Sequence, residues 1–491
     1  MQNFNFPVML TGIKKRLGWI KAEMPFAVHR VTRHYKNGVA LMDTYQYDYS
    51  YALTKDKVND IMRNNLASVT MPIVYTDHDT VTGAITTLNV HLDVWNMADG
   101  GQNSLMKLNV PIKDGSLSIS NLPGVNGEWD MAGVTLLMEI TLGWMGPGNQ
   151  QELNGEGSLT QLVFSPTQNA TPDDPGYVAI LTVTDPSSKL TSAAIGMLKQ
   201  IIQEAFYQNR DNLQYVFAGV VPVPAGTTTW LRPYKWQYYV ASGDIEALCF
   251  LSMLDDSPFP ATPAFDSTAL VPGVNAVALI SQNIFFKNTL LPGVQTTFPG
   301  GNFSVSQSNQ HSLISNNGSF TVTVDGDDIN TNSFSLWPSD AGDGLQTSSA
   351  GGGPLTFLFG LANLPDASYS WTTQTVNPLS LDVASGTMTF EQDPNPKSTH
   401  DQDIPWYDYI ILVGLGLTLV GLIADITDAI NGFGDRVNDV GMSNINNTVQ
   451  STLGNHVVNV TDLLNWQANG QSFTLTSGAL DGALYFRGNL S

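Results

Sequence analysis

The chain has 491 residues, a net charge of −22 and only 13% charged residues. That length buries a large core and divides into two or more domains, and the acidity excludes nucleic acid as a general partner. A single cysteine, Cys249, excludes an internal disulfide; it sits in the apolar run Ile245–Leu254 and is expected as a buried core thiol.

Charge is unevenly distributed. Residues 1–40 hold seven Lys/Arg against Glu23 alone, a net +6 that leaves −28 on the remainder. Lys14, Lys15, Arg16 and Lys21 interleave with Ile13, Leu17, Trp19 and Ile20. Such a basic arm can meet anionic head groups on a membrane, or pack on the acidic body by complementary charge. No charged region is followed by an apolar signal core, so synthesis in a bacterial cytoplasm without a signal peptide is expected, with release by lysis or another route left open.

Next, Tyr45, Tyr47, Tyr49 and Tyr51 alternate with polar residues and predict one aromatic strand face. Thr54 can cap a short helix carrying Val58, Ile61 and Met62. Strict alternation in Leu88–Val94, then at Leu117/Ile119, predicts half-buried strands. A helix is predicted over about residues 192–209, capped by Thr191, with Ile195, Leu198, Ile202, Ala205 and Phe206 on one face. Trp230, Tyr234, Trp236, Tyr238 and Tyr239 form a second aromatic cluster. These aromatics suit either an interface or cross-strand ladders in a large sheet.

The Pro-rich stretch Asp256–Pro272 reads as a joint. Beyond it Val277–Ile280 and Ser281 repeat the earlier order of apolar strand, cap and short helix. Further strands follow at Phe303/Val305, Phe320/Val322/Val324, Leu379/Leu381/Val383 and Met388/Phe390, with Asn317-Gly318 as a hairpin turn. The last large element is the apolar run Tyr409–Ala424, continued by an amphipathic pattern to Val440. It predicts a helix of about 33 residues, roughly 50 Å, unbroken or broken at Gly432/Gly434. Its uncharged part spans about 24 Å, short of the ~30 Å hydrocarbon core, and burial against the protein's own sheet is expected. A short helix through Ile445, Val449 and Leu453 follows.

Catalytic signatures are missing: no Gly-x-Ser-x-Gly elbow, no Walker loop, no His-Glu-x-x-His. Asp77-His78-Asp79, Asp325–Asp328 and the segment 400–403 are read as acidic turns rather than metal sites. No catalytic residue, metal or cofactor is assigned, and the protein is expected not to be an enzyme.

Met42-Asp43-Thr44 running into YSYALTKDKVNDIM, then NLQYVFAGV (212–220), WLRP (230–233) with YYVAS after it, GVNAVALISQNIFFKNTLLPG (273–293), and Asn465-Trp466-Gln467 with SFTLTSGALDGALYFRGN resemble one family. It is the OrfX and 47-kilodalton accessory-protein family of clostridial neurotoxin gene clusters, within the tubular lipid-binding (TULIP) superfamily. The chain is similar to a diverged bacterial member: Met42 stands where the family usually has Trp, and Gln467 where it tends to have Pro.

The resemblance implies an α+β, mostly antiparallel β protein. It would be elongated, with two TULIP-like modules (41–265 and 266–491) after the arm 1–40, each a coiled sheet wrapped on a long helix, the second being 408–440. It implies a non-enzymatic, lipid- or membrane-associating component of a bacterial multi-protein, insecticidal-toxin type of system, with cluster proteins as partners. The faces Ile195, Leu198, Ile202, Phe206 and Leu412, Leu415, Leu419, Leu422, Ile426 would then line lipid-binding seams, and Lys14, Lys15, Arg16 and Lys21 would bind head groups. Two alternatives remain: a lipid-free scaffold or chaperone for a partner protein, and a membrane-inserting toxin using 409–424.

Overall fold

The structure is a computed structural model. It describes residues 35–36, 39–67, 71–148, 150–220, 230–308, 311–324, 327–339, 344–354, 367–405, 419–453, 464–466 and 472–491. Within residues 1–40 the described part is the antiparallel pair Tyr35–Lys36 and Val39–Ala40. Everything below concerns the unit Leu41–Ser491.

Antiparallel β-structure dominates, as the alternating segments require. A first large sheet runs in the order Val178–Thr184, Thr135–Thr141, Leu105–Ser120, Ile85–Leu92, Met71–His78. Every second residue points inward, giving rows of Ile73, Leu88, Val90, Leu108, Val110, Leu117, Leu136, Met138 and Ile140, all buried. The long strand Leu105–Ser120 bends where the register against His91/Leu92 shifts by one residue. Gly115 makes the bend feasible: its φ is +117°, and a Cβ there would lie 2.2 Å from the Asn89 carbonyl oxygen.

Helix α1 (Lys55–Leu66) begins at Thr54, whose Oγ1 accepts from Lys57 N at 3.4 Å. Helix α2 (Ser192–Gln208) begins at Thr191, whose Oγ1 accepts from Ala194 N at 3.2 Å. α2 touches both edge strands of the first sheet, Val178–Thr184 and Met71–His78. The sheet therefore curls around it.

The central sheet runs Asn154–Glu156, Lys235–Ala241, Ala247–Met253, Tyr49–Thr54, Ala276–Ile280, Ala483–Leu490, Phe473–Asp481. Its order is mirrored about the pair Tyr49–Thr54 and Ala276–Ile280, where Tyr51 faces Ala278. Each of those strands is flanked by the second strand of a hairpin, and each runs directly into a capped helix. Ser281 Oγ accepts from Ile284 N at 3.3 Å, as Thr54 does for α1. The helical stretch 282–297 that follows has a π-helical middle.

Only part of the expected aromatic ladder forms. Tyr49 and Tyr51 share the inner face with Leu53, but Tyr45 and Gln46 sit in a turn with φ of 50° and 71°. Tyr47 consequently packs on the opposite face with Phe259. The Pro-rich joint is no free linker. Phe265, Ala269 and Leu270 cover the outer face of the central sheet beside Cys249, Leu251, Val277 and Leu279. Asp266 is buried there; its Oδ1 accepts from Thr268 and its Oδ2 from Asp43 N at 3.1 Å, which ties in the Met42-Asp43-Thr44 motif. Burial pushes the Cys249 thiol well above the usual range, so it stays protonated.

A second large sheet runs Phe303–Ser308, His311–Asn316, Asp327–Pro338, Gly344–Pro354, Ser368–Asp382, Thr387–Phe390, with Phe320–Val324 and Lys397–Asp403 paired alongside. Against it lies one helical path: α3 (Leu419–Asp435), a π-helical stretch Arg436–Gly441, and α4 (Met442–Leu453). No break falls at Gly432/Gly434. The irregularity comes one turn later and joins the expected short helix to the long one. A π-helical turn re-aims side chains, and here it contains Asn438, which is turned onto the sheet edge.

Candidate functional site

The two helix–sheet seams are the places where the sequence puts its functional residues. In the first, Leu198, Ile202 and Phe206 are at most 1% exposed, and Ala194, Ile201 and Ala205 join them. Ile195 sits at the border, half-buried. The buried stripe is thus rotated slightly from the predicted one, because a helix with both flanks against sheet edges needs a broader apolar face. The Phe206 ring meets Phe164 at 6.4 Å, and Phe164 meets Trp95 at 5.9 Å. At Leu198, Ile202 and Phe206 the seam is closed to solvent by the chain's own groups.

Polar contacts fasten the rim of this seam. Lys199 Nζ donates to the Leu181 carbonyl at 2.6 Å, and Gln203 Nε2 to the Ala170 carbonyl at 2.7 Å. Asn209, just past the end of α2, acts as a clamp on the opposite edge. Val74 N donates to its Oδ1 at 3.2 Å, and its Nδ2 donates to Val74 O at 3.1 Å. One side-chain amide thereby satisfies both backbone groups of an edge-strand residue.

The second seam is built differently. Phe433 has no exposed surface; its ring stacks on Phe298 at 5.9 Å and meets Trp371 at 4.6 Å. Ile430, Val437, Met442, Ile445, Val449 and Leu453 are buried along the same path. The sheet they meet carries Thr347, Ser349, Thr373, Thr375 and Asn377 inward, all at most 1% exposed. These groups form a chain. Thr347 and Thr375 hydroxyls are 2.7 Å apart, Thr375 Oγ1 donates to Asn377 Oδ1 at 2.8 Å, and Asn377 Nδ2 donates to Asn438 Oδ1 at 2.8 Å. Asn438 Oδ1 also accepts from Asp393 N at 2.6 Å, and its Nδ2 donates to Asp393 O at 2.8 Å. Further along, Phe390 N donates to Asn446 Oδ1 at 2.8 Å, and Asn446 Nδ2 donates to Phe390 O at 2.9 Å. That clamp on an edge strand repeats the one made by Asn209. Gly434 lets the helix approach, since a Cβ there would lie 3.2 Å from Thr373 Cγ2.

Several expected site residues fall elsewhere. Lys14, Lys15, Arg16, Lys21, Leu412 and Leu415 lie outside the described residues, as does most of 409–424. Leu419, Leu422 and Ile426 fall on α3, and their side chains lie outside the described set. Among the described residues no helix is long and apolar enough to cross a membrane, and no cluster of His, Cys, Asp or Glu could hold a metal ion. The turn after Asp77-His78 is organised by Asp79, whose Oδ1 accepts from Val81 N at 2.8 Å and whose Oδ2 accepts from Thr82 Oγ1 at 2.6 Å. The Thr82 hydroxyl and neighbouring amides hold the Asp79 carboxyl below its ordinary pKa. Among the aromatics, Trp236 and Tyr238 face inward, and Tyr238 Oη accepts from Leu142 N at 2.9 Å. The polar inner rows of the second sheet are absent from the sequence expectations. Their signal was there, in the alternation Trp371, Thr373, Thr375, Asn377, but counting only apolar residues hides it.

Comparison with known proteins follows the same line as this geometry. The family model described as OrfX-like, Protein OrfX2/OrfX3/P47, matches residues 56–335, more than half of the chain. The chain belongs to the OrfX-like family. Protein P47 of Clostridium botulinum (strain Kyoto / Type A2) is 23% identical over 254 residues, an alignment covering 51% of this chain and 56% of that relative. The chain thus matches little more than half the length of this curated relative. The structure of P47 from C. botulinum A2 superposes with a TM-score of 0.66 at 19% identity, over 91% of this chain and 98% of the other. P47 of C. botulinum E1 gives 0.65 at 18% identity, over 91% and 100%. At such identities the likeness is one of fold, and it extends the OrfX-like architecture well beyond the matched segment 56–335.

Proposed function

We propose that this OrfX-like protein is a non-enzymatic accessory component of a bacterial toxin gene cluster, working as a scaffold for companion proteins. In this reading it has two TULIP-like modules, 41–265 and 266–491, each a curled sheet wrapped on a helix. The mirrored strand order of the central sheet and the paired Asn209 and Asn446 clamps support that arrangement. The observation that carries the scaffold reading is the close packing of the first seam, where Leu198, Ile202 and Phe206 are at most 1% exposed and Phe206 meets Phe164.

Native mass spectrometry after mild purification tests it. The expected result is the protein mass without a lipid adduct, and a stable complex when the products of neighbouring genes are co-expressed. A stoichiometric lipid adduct that survives desalting overturns it.

A second reading is favoured by the apolar run 409–424 and the +6 arm. Lipid or membrane contact would then reside in the second helix and in Lys14, Lys15, Arg16 and Lys21, not in the first seam. Flotation with anionic liposomes at low salt, lost when those four residues are changed to Glu, is its expected outcome. No flotation at any ionic strength removes it.

A further inference from the structure

Six Asn-Gly pairs occur in the chain, and four of them, at Asn126, Asn154, Asn317 and Asn431, fall on described residues. A glycine leaves its own amide nitrogen unshielded, so that nitrogen can attack the preceding asparagine Cγ wherever the backbone can turn to bring the two together. The fold treats the four pairs differently. Gly432 lies inside α3, where its N–H is spent on the helix ladder and its backbone is fixed. Gly155 is buried in the strand Asn154–Glu156, opposite Trp236 and so close to the indole that a Cβ would collide with it. Gly127 starts a strand opposite Ile119, and Asn126 Oδ1 accepts from Leu122 N at 2.8 Å, which holds the carboxamide away from the chain ahead of it.

Asn317-Gly318 differs from all three. It forms the exposed turn between the strands His311–Asn316 and Phe320–Val324. Gly318 has a φ of +92°, a Cβ on it would meet nothing within 4 Å, and its N–H has no acceptor among the described residues. The Asn317 carboxamide is tethered by Ser304, whose Oγ lies 3.1 Å from Nδ2 and 3.3 Å from Oδ1. Asn317 N donates to Asn302 O at 2.7 Å, and Asn316 Nδ2 to Gly318 O at 2.6 Å. Those bonds anchor the turn without engaging the two atoms that would react. We propose that Asn317 is a self-modifying site of the folded protein. The Gly318 nitrogen, on losing its proton, forms a bond to Asn317 Cγ; the Cγ–Nδ2 bond breaks and ammonia leaves, closing a succinimide ring. Water then opens the ring at either carbonyl and leaves aspartate or isoaspartate at position 317. Each converted molecule gains one negative charge. The isoaspartate form also adds a methylene to the backbone of a turn whose two strands both pair with Asp327–Pro338.

Peptide mapping by mass spectrometry tests this on the full chain after incubation in warm, mildly alkaline buffer. The peptide carrying position 317 should gain about 1 Da, as a mixture of aspartate and isoaspartate. Its rate should exceed those at Asn126, Asn154 and Asn431 by roughly tenfold or more, because those three must wait for local unfolding. The same incubation in urea is the control: there the four pairs should convert at similar rates, since only the fold separates them. Asn317→Gln, whose longer side chain closes a ring far less readily, should show no gain at position 317. Conversion at Asn126, Asn154 or Asn431 as fast as at Asn317 in the folded chain overturns the proposal. So does a folded chain that leaves Asn317 intact while the chain in urea has reacted, or an ordering of rates that is the same in urea as in buffer.

Discussion

Helix α2 lies on inward rows of Val, Leu, Ile and Met, whereas the helical path through α3 and α4 lies on a sheet whose inward face mixes Thr347, Ser349, Thr373, Thr375 and Asn377 with apolar groups such as Val322, Ile329, Trp371, Met388 and Phe390. The first contact is non-directional. Burying one of its large apolar side chains gives about 1.5–3 kcal/mol, and any apolar helix of suitable width would be accepted. The second is directional. Each hydrogen bond nets only about 0.5–1.5 kcal/mol, but the chain Thr347, Thr375, Asn377, Asn438 accepts the helix in one register. The same architecture is thus held once by area alone and once by area and pattern together.

The largest effect should come from the ring at the centre of each seam. Phe206→Ala and Phe433→Ala are each expected to cost about 3–5 kcal/mol, read from urea unfolding. Phe433→Ala should be the more costly, since Phe298 and Trp371 are both left facing a void. If Phe433→Ala behaves like a surface substitution, the second seam is not a core and the comparison fails.

A smaller effect separates the rims. Asn209→Ala and Asn446→Ala each remove two hydrogen bonds to an edge strand and are expected to cost about 1–2 kcal/mol. Faster hydrogen exchange should appear at Val74 in the first variant and at Phe390 in the second. Protection unchanged at both amides would remove the clamps from the account.

The smallest effect has the opposite sign. Thr331 is fully buried on the second sheet and its Oγ1 has no partner. Thr331→Val should stabilise the protein by about 1 kcal/mol, seen as a higher melting temperature. The reverse exchange in the first sheet, Val90→Thr, would bury a new hydroxyl among apolar rows and should destabilise it.

Much of the fold was legible in the residues, for physical reasons that differ by element. Thr54, Thr191 and Ser281 were readable as caps because capping is local chemistry between a hydroxyl and an amide three residues on. Leu198, Ile202 and Phe206 were readable because helical periodicity and burial coincide there. Tyr45 and Tyr47 misled because alternation holds only while the backbone stays extended, and a left-handed turn at Tyr45 and Gln46 reverses the facing. The irregular turn at 436–441 escaped because glycine marks a permissive backbone, whereas the π-helical turn is associated with Asn438 and its partners on distant strands. The polar seam escaped because Thr and Ser rows look like solvent-facing rows until a helix covers them.

The central strand pair has a consequence for how the chain is made. Tyr49–Thr54 is almost wholly buried, yet its neighbours are Ala247–Met253 and Ala276–Ile280. At about 5–20 residues per second, a ribosome needs roughly 10–40 s after finishing this strand before the first of those partners exists. Throughout that wait an apolar strand carries two open edges, the condition that favours pairing with another chain. During translation this strand is therefore exposed before its partners exist, and the interval before residue 280 emerges is when a holding factor would matter most.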